Sequence, residues 1–210
     1  MASSFTVVNS TPDMAEKLAS IQRASFPHLA EEALITAAHY RAQIARFPAG
    51  QHAVITKTGD VVACSTDFRT TVDFNHIEHR YLDAVDHNWL GDHDPNGDWL
   101  YGVDIGVLPS YRRQGIARLL YDARRRLIRR LGLRGHVAGG MLSGYGEVKD
   151  QMSVETYVDH LQAGRRFDPT VSVQLRLGFT IAGIIQHYVD DPSCDNKAAF
   201  IIWCNPDVAT

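Results

Sequence analysis

Cysteine is scarce in this 210-residue chain. Cys64, Cys194 and Cys204 are odd in number, far apart and free of any Cys-x-x-Cys pair. That excludes a disulfide framework and a cysteine-built zinc site, and it fits a reducing cytoplasm. Charge of one sign is lacking as well. The chain has 21 Lys and Arg against 24 Asp and Glu, a net charge of −3, too little to draw it to nucleic acid or an anionic membrane. No apolar run is long enough to span a bilayer, and the polar residues behind Met1 do not read as a secretory leader. With 45% apolar and 21% charged residues, the composition is that of one globular domain, here residues 1–210.

What is present is organised around residues 98–131. Trp99 to Leu108 is apolar and β-branched enough for a buried strand, and Pro109 ends it. Tyr111-Arg112-Arg113-Gln114-Gly115-Ile116-Ala117 follows, and then apolar residues at Ile116, Leu119, Leu120, Ala123, Leu127 and Leu131 mark a helix with one buried face. A helix start leaves its first N–H groups unpaired, and the macrodipole adds partial positive charge there. Gly115 lets a ligand approach closely, while Arg112, Arg113 and Arg118 surround the turn with cations. The physics describes a cradle for a diphosphate-like anion. The remaining helix arginines, Arg124 among them, read as a solvated face.

On either side the chain alternates strands and helices. Residues 5–8 form a first strand, and Thr11-Pro12 opens a helix that stops before Pro27. A second helix is expected from about residue 31 to 47, with Phe26, His28 and Tyr40 as candidate substrate contacts. Residues 52–57 and 61–66 form a hairpin around Thr58-Gly59-Asp60. Residues 71–97 are polar and rich in histidine. Asp92-His93-Asp94-Pro95-Asn96-Gly97 copies the opening of a calcium loop, but Val103 stands where the bidentate Glu belongs, so a turn before the strand is the better reading and no metal is expected. The segment reads as an insertion over the acceptor site, with a helix over residues 77–89. A strand over 133–138 runs into 139–146, where four of eight residues are glycine, a sign of close backbone approach to a ligand or another segment. Ser153 caps a helix to residue 163, another starts at Asp168-Pro169 and ends before Gly178, and residues 179–189 and 198–204 make a final hairpin. The last strand, if exposed, could pair in a homodimer.

Val107-Leu108-Pro109-Ser110-Tyr111 followed by Arg112-x-x-Gly115-x-Ala117, between strand and helix, resembles the acyl-CoA-binding motif of the GNAT (GCN5-related N-acetyltransferase) superfamily. Leu177-Gly178-Phe179 resembles its second motif. The likeness is closer to GNAT domains often fused to a carbon–nitrogen hydrolase domain. The segments that carry it include Asp94-Pro95-Asn96-Gly97-Asp98, residues 152–158 and Phe167-Asp168-Pro169-Thr170; the hydrolase part has no counterpart in these residues.

The resemblance implies an α/β GNAT fold, with a mixed sheet of about seven strands, flanking helices and splayed central strands. It implies an acyl-CoA cosubstrate, most simply acetyl-CoA, bound by backbone amides of Arg113, Gln114, Gly115, Ile116, Ala117 and Arg118 beside Arg112. Pantetheine would pair along Asp104, Ile105, Gly106 and Val107, with the Ile105 amide polarising the thioester carbonyl. The activity implied is direct N-acetyl transfer to an unidentified amine. The alternative is a catalytically silent acyl-CoA-binding module.

The proton-handling residues are less defined. Tyr101 and Asp104 are candidates on the strand, and Asp104 is either at the cleft or paired with an arginine, since burying it alone would be costly. The superfamily's frequent acid, a tyrosine four residues before the second-motif glycine, is replaced here by Gln174, which retains only a binding role. Tyr145 or Tyr188 is then the candidate acid, or coenzyme A leaves as a thiolate without help.

Overall fold

A computed structural model describes residues 4–208. Seven strands form one mixed sheet in the order β1-β2-β3-β4-β5-β7-β6. They are β1 (Phe5–Asn9), β2 (Gln51–Thr56), β3 (Val61–Thr70), β4 (Trp99–Val107), β5 (Gly135–Met141), β6 (Thr180–Ile185) and β7 (Ala198–Cys204). All neighbours are antiparallel except β4 and β5, which run parallel. The helices are α1 (Ala15–Ser25), α2 (Ala37–Arg46), α3 (Tyr81–Ala84), α4 (Ile116–Leu131), α5 (Val154–Gln162) and α6 (Val171–Arg176).

Alternation along β4 assigns the two layers. Gly106 lies under Ile21 and Ser25 of α1, whereas Ile105 and Val107 pack with Ile116 and Leu120 of α4. On β5, Gly139 lies against Tyr188 and Gly140 against Gln174 of α6. The α1 and α2 side and the α4 and α6 side are therefore opposite faces of one sheet. The apolar stripe of α4 buries Ile116, Leu120, Leu127 and Ile128. Gly132, at φ 63°, ends the helix and donates its N–H to Arg129 and Ile128 carbonyls.

Several expectations from the sequence are corrected. The second helix starts at Ala37 because Thr36 and His39 exchange side-chain and backbone bonds as a capping box, leaving a short 3₁₀ turn at Glu31–Ala33. The helix expected over 77–89 is one turn. Asp86, His87, Asn88 and Leu90 adopt positive φ, and buried Asn88 accepts from the Tyr81 hydroxyl at 2.8 Å while its carbonyl accepts from Gln43. Those tertiary bonds outweigh helix propensity. Asp168 opens the sixth helix later than expected, its carboxylate accepting from the Thr170 and Val171 amides. Strand β6 stops at Ile185, and Tyr188 turns inward. The last strand is no exposed edge: β7 lies between β5 and β6.

Candidate functional site

The parallel pair β4 and β5 holds together over only three residues, Trp99 to Tyr101 against Gly135 to Val137. Beyond them the strands part. Within β4 the pairing with β3 passes from Thr66–Asp104 to Asp67–Gly102, so Val103 is an extra residue, a bulge that redirects the strand at the fork. The fork opens a cleft walled by Gly102 to Ile105 and by Ala138, Gly139 and Met141. It passes through the sheet, with Gln22, Phe26 and Tyr188 on one face and Tyr121, Arg124 and Gln174 on the other.

The glycine turn lies beyond Val107, at the end of the open part of β4. Gly115 is the N-cap residue of α4 at φ 79°, Arg113 also has positive φ, and nothing stands within 4 Å of where a Gly115 Cβ would be. The N–H groups of residues 113–118 find no acceptor among the described residues. Arg112, Arg113, Gln114, Gly115 and Arg118 are exposed, while Ile116 anchors the turn in the core. Arg112 bends back to the Val107 and Ser25 carbonyls, tying the turn to β4 and α1. Bare amides, an open face and cations suit a pyrophosphate.

Asp104 sits in the cleft wall, 8% exposed. Its Oδ2 accepts the Tyr40 hydroxyl at 3.0 Å, and its Oδ1 is buried without a partner. Burial lifts its pKa to about 6, while the Arg124 cation and the Tyr40 hydrogen bond oppose that rise. Of the two options left by the sequence, the carboxylate stands in the cleft wall and is not paired with an arginine: Arg124 bonds the Asp104 backbone carbonyl and pairs through its side chain with Asp67 at 2.7 Å. Arg124 is 2% exposed, so its reading as a solvated surface residue is corrected.

Tyr101 is buried behind this wall. Its hydroxyl lies 2.8 Å from His79 Nε2 and 3.1 Å from the Tyr188 hydroxyl. His79 Nδ1 faces the Ile77 carbonyl at 2.7 Å and must donate to it. In the neutral ring Nε2 then accepts from Tyr101, which accepts from Tyr188. Burial lowers the His79 pKa and favours this neutral form.

Tyr145 is not brought to the cleft. Its hydroxyl donates to the Met152 carbonyl at 3.3 Å and its ring packs on Tyr157. Of the pantetheine stretch, Ile105 lines the cleft, Gly106 faces α1 and Val107 faces α4. Sequence reasoning missed Tyr121 and Arg124. Their one signal was position: both lie in the buried half of the amphipathic helix, beside Leu120, Ala123 and Leu127.

Comparison with known proteins supports the fold. The chain is 31% identical over 170 residues to the "Probable hydrolase YhcX" of Bacillus subtilis, matching 80% of this chain but spanning only 33% of that protein. It is 28% identical over 202 residues to the "Uncharacterized N-acetyltransferase YkwB" of the same organism, covering 96% of this chain and 89% of that one. Among solved structures, the GphF GNAT-like decarboxylase in complex with isobutyryl-CoA superposes with a TM-score of 0.81 at 22% identity, over 95% of this chain and 99% of that one. The acetyltransferase (GNAT) family model matches residues 15–139, which include the fork, the bulge and the glycine turn, and the chain belongs to that family.

Proposed function

We propose that this protein transfers an acyl group, most simply acetyl, from coenzyme A directly to an amine. The observation that carries the reading is the run of free amides at residues 113–118, placed at the open end of a forked β4–β5 pair. The cosubstrate's pyrophosphate sits on those amides beside Arg112, Arg113 and Arg118, and its pantetheine arm enters the fork along Asp104, Ile105, Gly106 and Val107. The amide of Ile105 polarises the thioester carbonyl. A preorganised backbone donor there needs no particular side chain.

An amine must lose a proton to attack. Asp104 is the base: one oxygen is held by Tyr40, the other is buried without a partner in the cleft wall, and with a pKa of about 6 it is ionised at neutral pH. Tyr101 holds Tyr188 at the acceptor wall and is itself oriented by His79. Residues 71–97 contribute part of that wall as an insertion, since Tyr81 of α3, within the segment, lines the cleft. No described helix is long and apolar enough to cross a membrane, and we place the reaction in the cytoplasm, where acyl-CoA is found.

The test is direct. Acetyl-CoA at a hundredfold its Kd adds about 2.7 kcal/mol of stability, a rise in Tm of about 5–10 °C for a chain of this size. Gly115→Glu removes that rise by placing an anion in the cradle. A coenzyme-release assay across an amine panel then identifies the acceptor. A thermal shift without thiol release would make the chain a binding module instead. Carbon dioxide release from a carboxylated acyl-CoA without any amine would replace transfer by decarboxylation, the activity of the GphF protein, whose likeness at 22% identity carries the fold alone.

A further inference from the structure

The C-terminal half of α4 carries cations that the cosubstrate turn does not use. Arg124 pairs with Asp67, Arg125 bonds the Leu177 carbonyl and Arg129 pairs with Asp207. Arg126 and Arg130 are exposed, and neither guanidinium has a hydrogen-bond or ion-pair partner among the described residues. Four positions apart, they are neighbours on one side of the helix. That side faces a cavity between α4 and strands β1 and β2, lined by Asn9, His52, Leu127 and both arginines among others, and by no acidic side chain.

His52 is the buried member, 7% exposed. Neither of its ring nitrogens makes a hydrogen bond among the described residues, and Nδ1 is buried. Ser65 stands directly opposite on β3 with its own hydroxyl buried and free, so a turn of the ring can give Nδ1 that partner. Nε2, at the tip of the ring, is left to the cavity in either orientation. Asn9 gives its amide N–H groups to the Pro48 and Gln51 carbonyls, so the free donors are Arg126, Arg130 and His52. A buried imidazole beside two unpaired guanidinium groups lacks only a shared anion.

We propose that this cavity is a second anion site, in which Arg126, Arg130 and His52 together hold the phosphate group of free phosphate or of a small phosphomonoester. Guanidinium forks take the oxygens of a tetrahedral anion in pairs, and the imidazole N–H supplies a further bond. At about 1.5 Å per residue, Arg126 and Arg130 lie about 16–22 Å along α4 from Gly115, so the site is separate from the pyrophosphate turn. It does not depend on the acyltransferase reading. Burial, together with the Arg124, Arg126 and Arg130 cations, holds the His52 pKa down at about 4. Asn9 of β1 and Ser65 of β3 carry no charge, and Asp67, farther along β3, is paired with Arg124. A bound dianion offsets the cations and favours the imidazolium, so acid strengthens binding.

The test uses sulfate, a dianion throughout pH 5–8, titrated calorimetrically at constant ionic strength into the wild type and into Gly115→Glu, whose turn no longer accepts an anion. One sulfate should remain bound by Gly115→Glu. Arg126→Gln and Arg130→Gln, both at exposed positions, should each weaken it by about tenfold or more. Affinity should rise as pH falls from 7.5 to 5, by at most about tenfold per unit, and His52→Gln should flatten that rise. Inorganic phosphate and glycerol 2-phosphate, compared at pH 8, identify the source, the tighter of the two being the form the site is built for. Sulfate binding that disappears with Gly115→Glu in a folded protein overturns the proposal. So does sulfate binding that survives Arg126→Gln with Arg130→Gln, or that ignores pH. No readout involves a thioester or an amine, so failure of the acyltransferase reading would leave every one of these results unchanged.

Discussion

Removing Arg124 offers the sharpest test of what holds the cleft together. Its side chain is 3% exposed and that of Asp67 is 0% exposed, with nitrogen and oxygen 2.7 Å apart. The same guanidinium also bonds the Thr66 and Asp104 carbonyls, pinning the strands that border the bulge. Arg124→Met keeps much of the side-chain volume but leaves the Asp67 carboxylate buried without a cation. Breaking a buried pair in this way costs about 3–5 kcal/mol, a large part of the ~5–15 kcal/mol that stabilises a typical domain. For a chain of this size that lowers Tm by about 10 °C. The loss should depend on pH. Burial already lifts the Asp67 pKa to about 7 against the pull of Arg124, and without Arg124 it rises further. A carboxylate whose folded pKa exceeds its unfolded value binds its proton more tightly in the native state. Below about pH 7 the carboxyl is protonated in both folded proteins, so this linkage adds nothing to the variant's deficit there; the deficit grows as pH rises above 7, by at most about 1.4 kcal/mol per unit. Urea titrations of both proteins from pH 5 to 8 measure this. A deficit under about 1 kcal/mol, or one that does not change with pH, would refute the idea that Arg124 neutralises a buried Asp67. Arg124→Met combined with Asp67→Leu should recover most of the stability, because no charge is then stranded.

Other outcomes follow from the same geometry. Asp104→Asn should lower kcat by about a hundredfold or more and abolish the limb of the rate profile that rises through about pH 6, checked by initial rates against pH. Tyr40→Phe removes a hydrogen bond to the Asp104 carboxylate and should move that limb to higher pH, with a folded, coenzyme-binding protein. Tyr145→Phe should leave turnover unchanged and cost at most about 1.5 kcal/mol, because its hydroxyl serves only the Met152 carbonyl. Thr36→Ala should cost about 1 kcal/mol in thermal unfolding through the lost cap of α2.

The sequence by itself determined whatever depends on neighbours along the chain. The strand, glycine turn and helix of residues 98–131 were legible because period, proline stop and αL glycine all act within a few residues. The exposed amides of 116–118 follow from helix geometry alone. Ser153 and Gly178 were legible as a cap and a stop for the same reason. Only the tertiary structure decided what depends on distant partners. Tyr40 meets Asp104 across 64 positions, and Tyr121 meets Gln174 across 53. Arg124 read as solvated because a charged residue on an amphipathic helix is exposed unless a partner waits inside, and Asp67 arrives from another strand. Residues 77–89 carry helical residues, yet Asn88 finds its hydrogen bonds in α2 and in the turn before it, and the segment follows those bonds. Local chemistry set the bare amides at the start of α4. Packing chose which side chains line the cleft, because burial and pairing are properties of the folded assembly rather than of any stretch of chain.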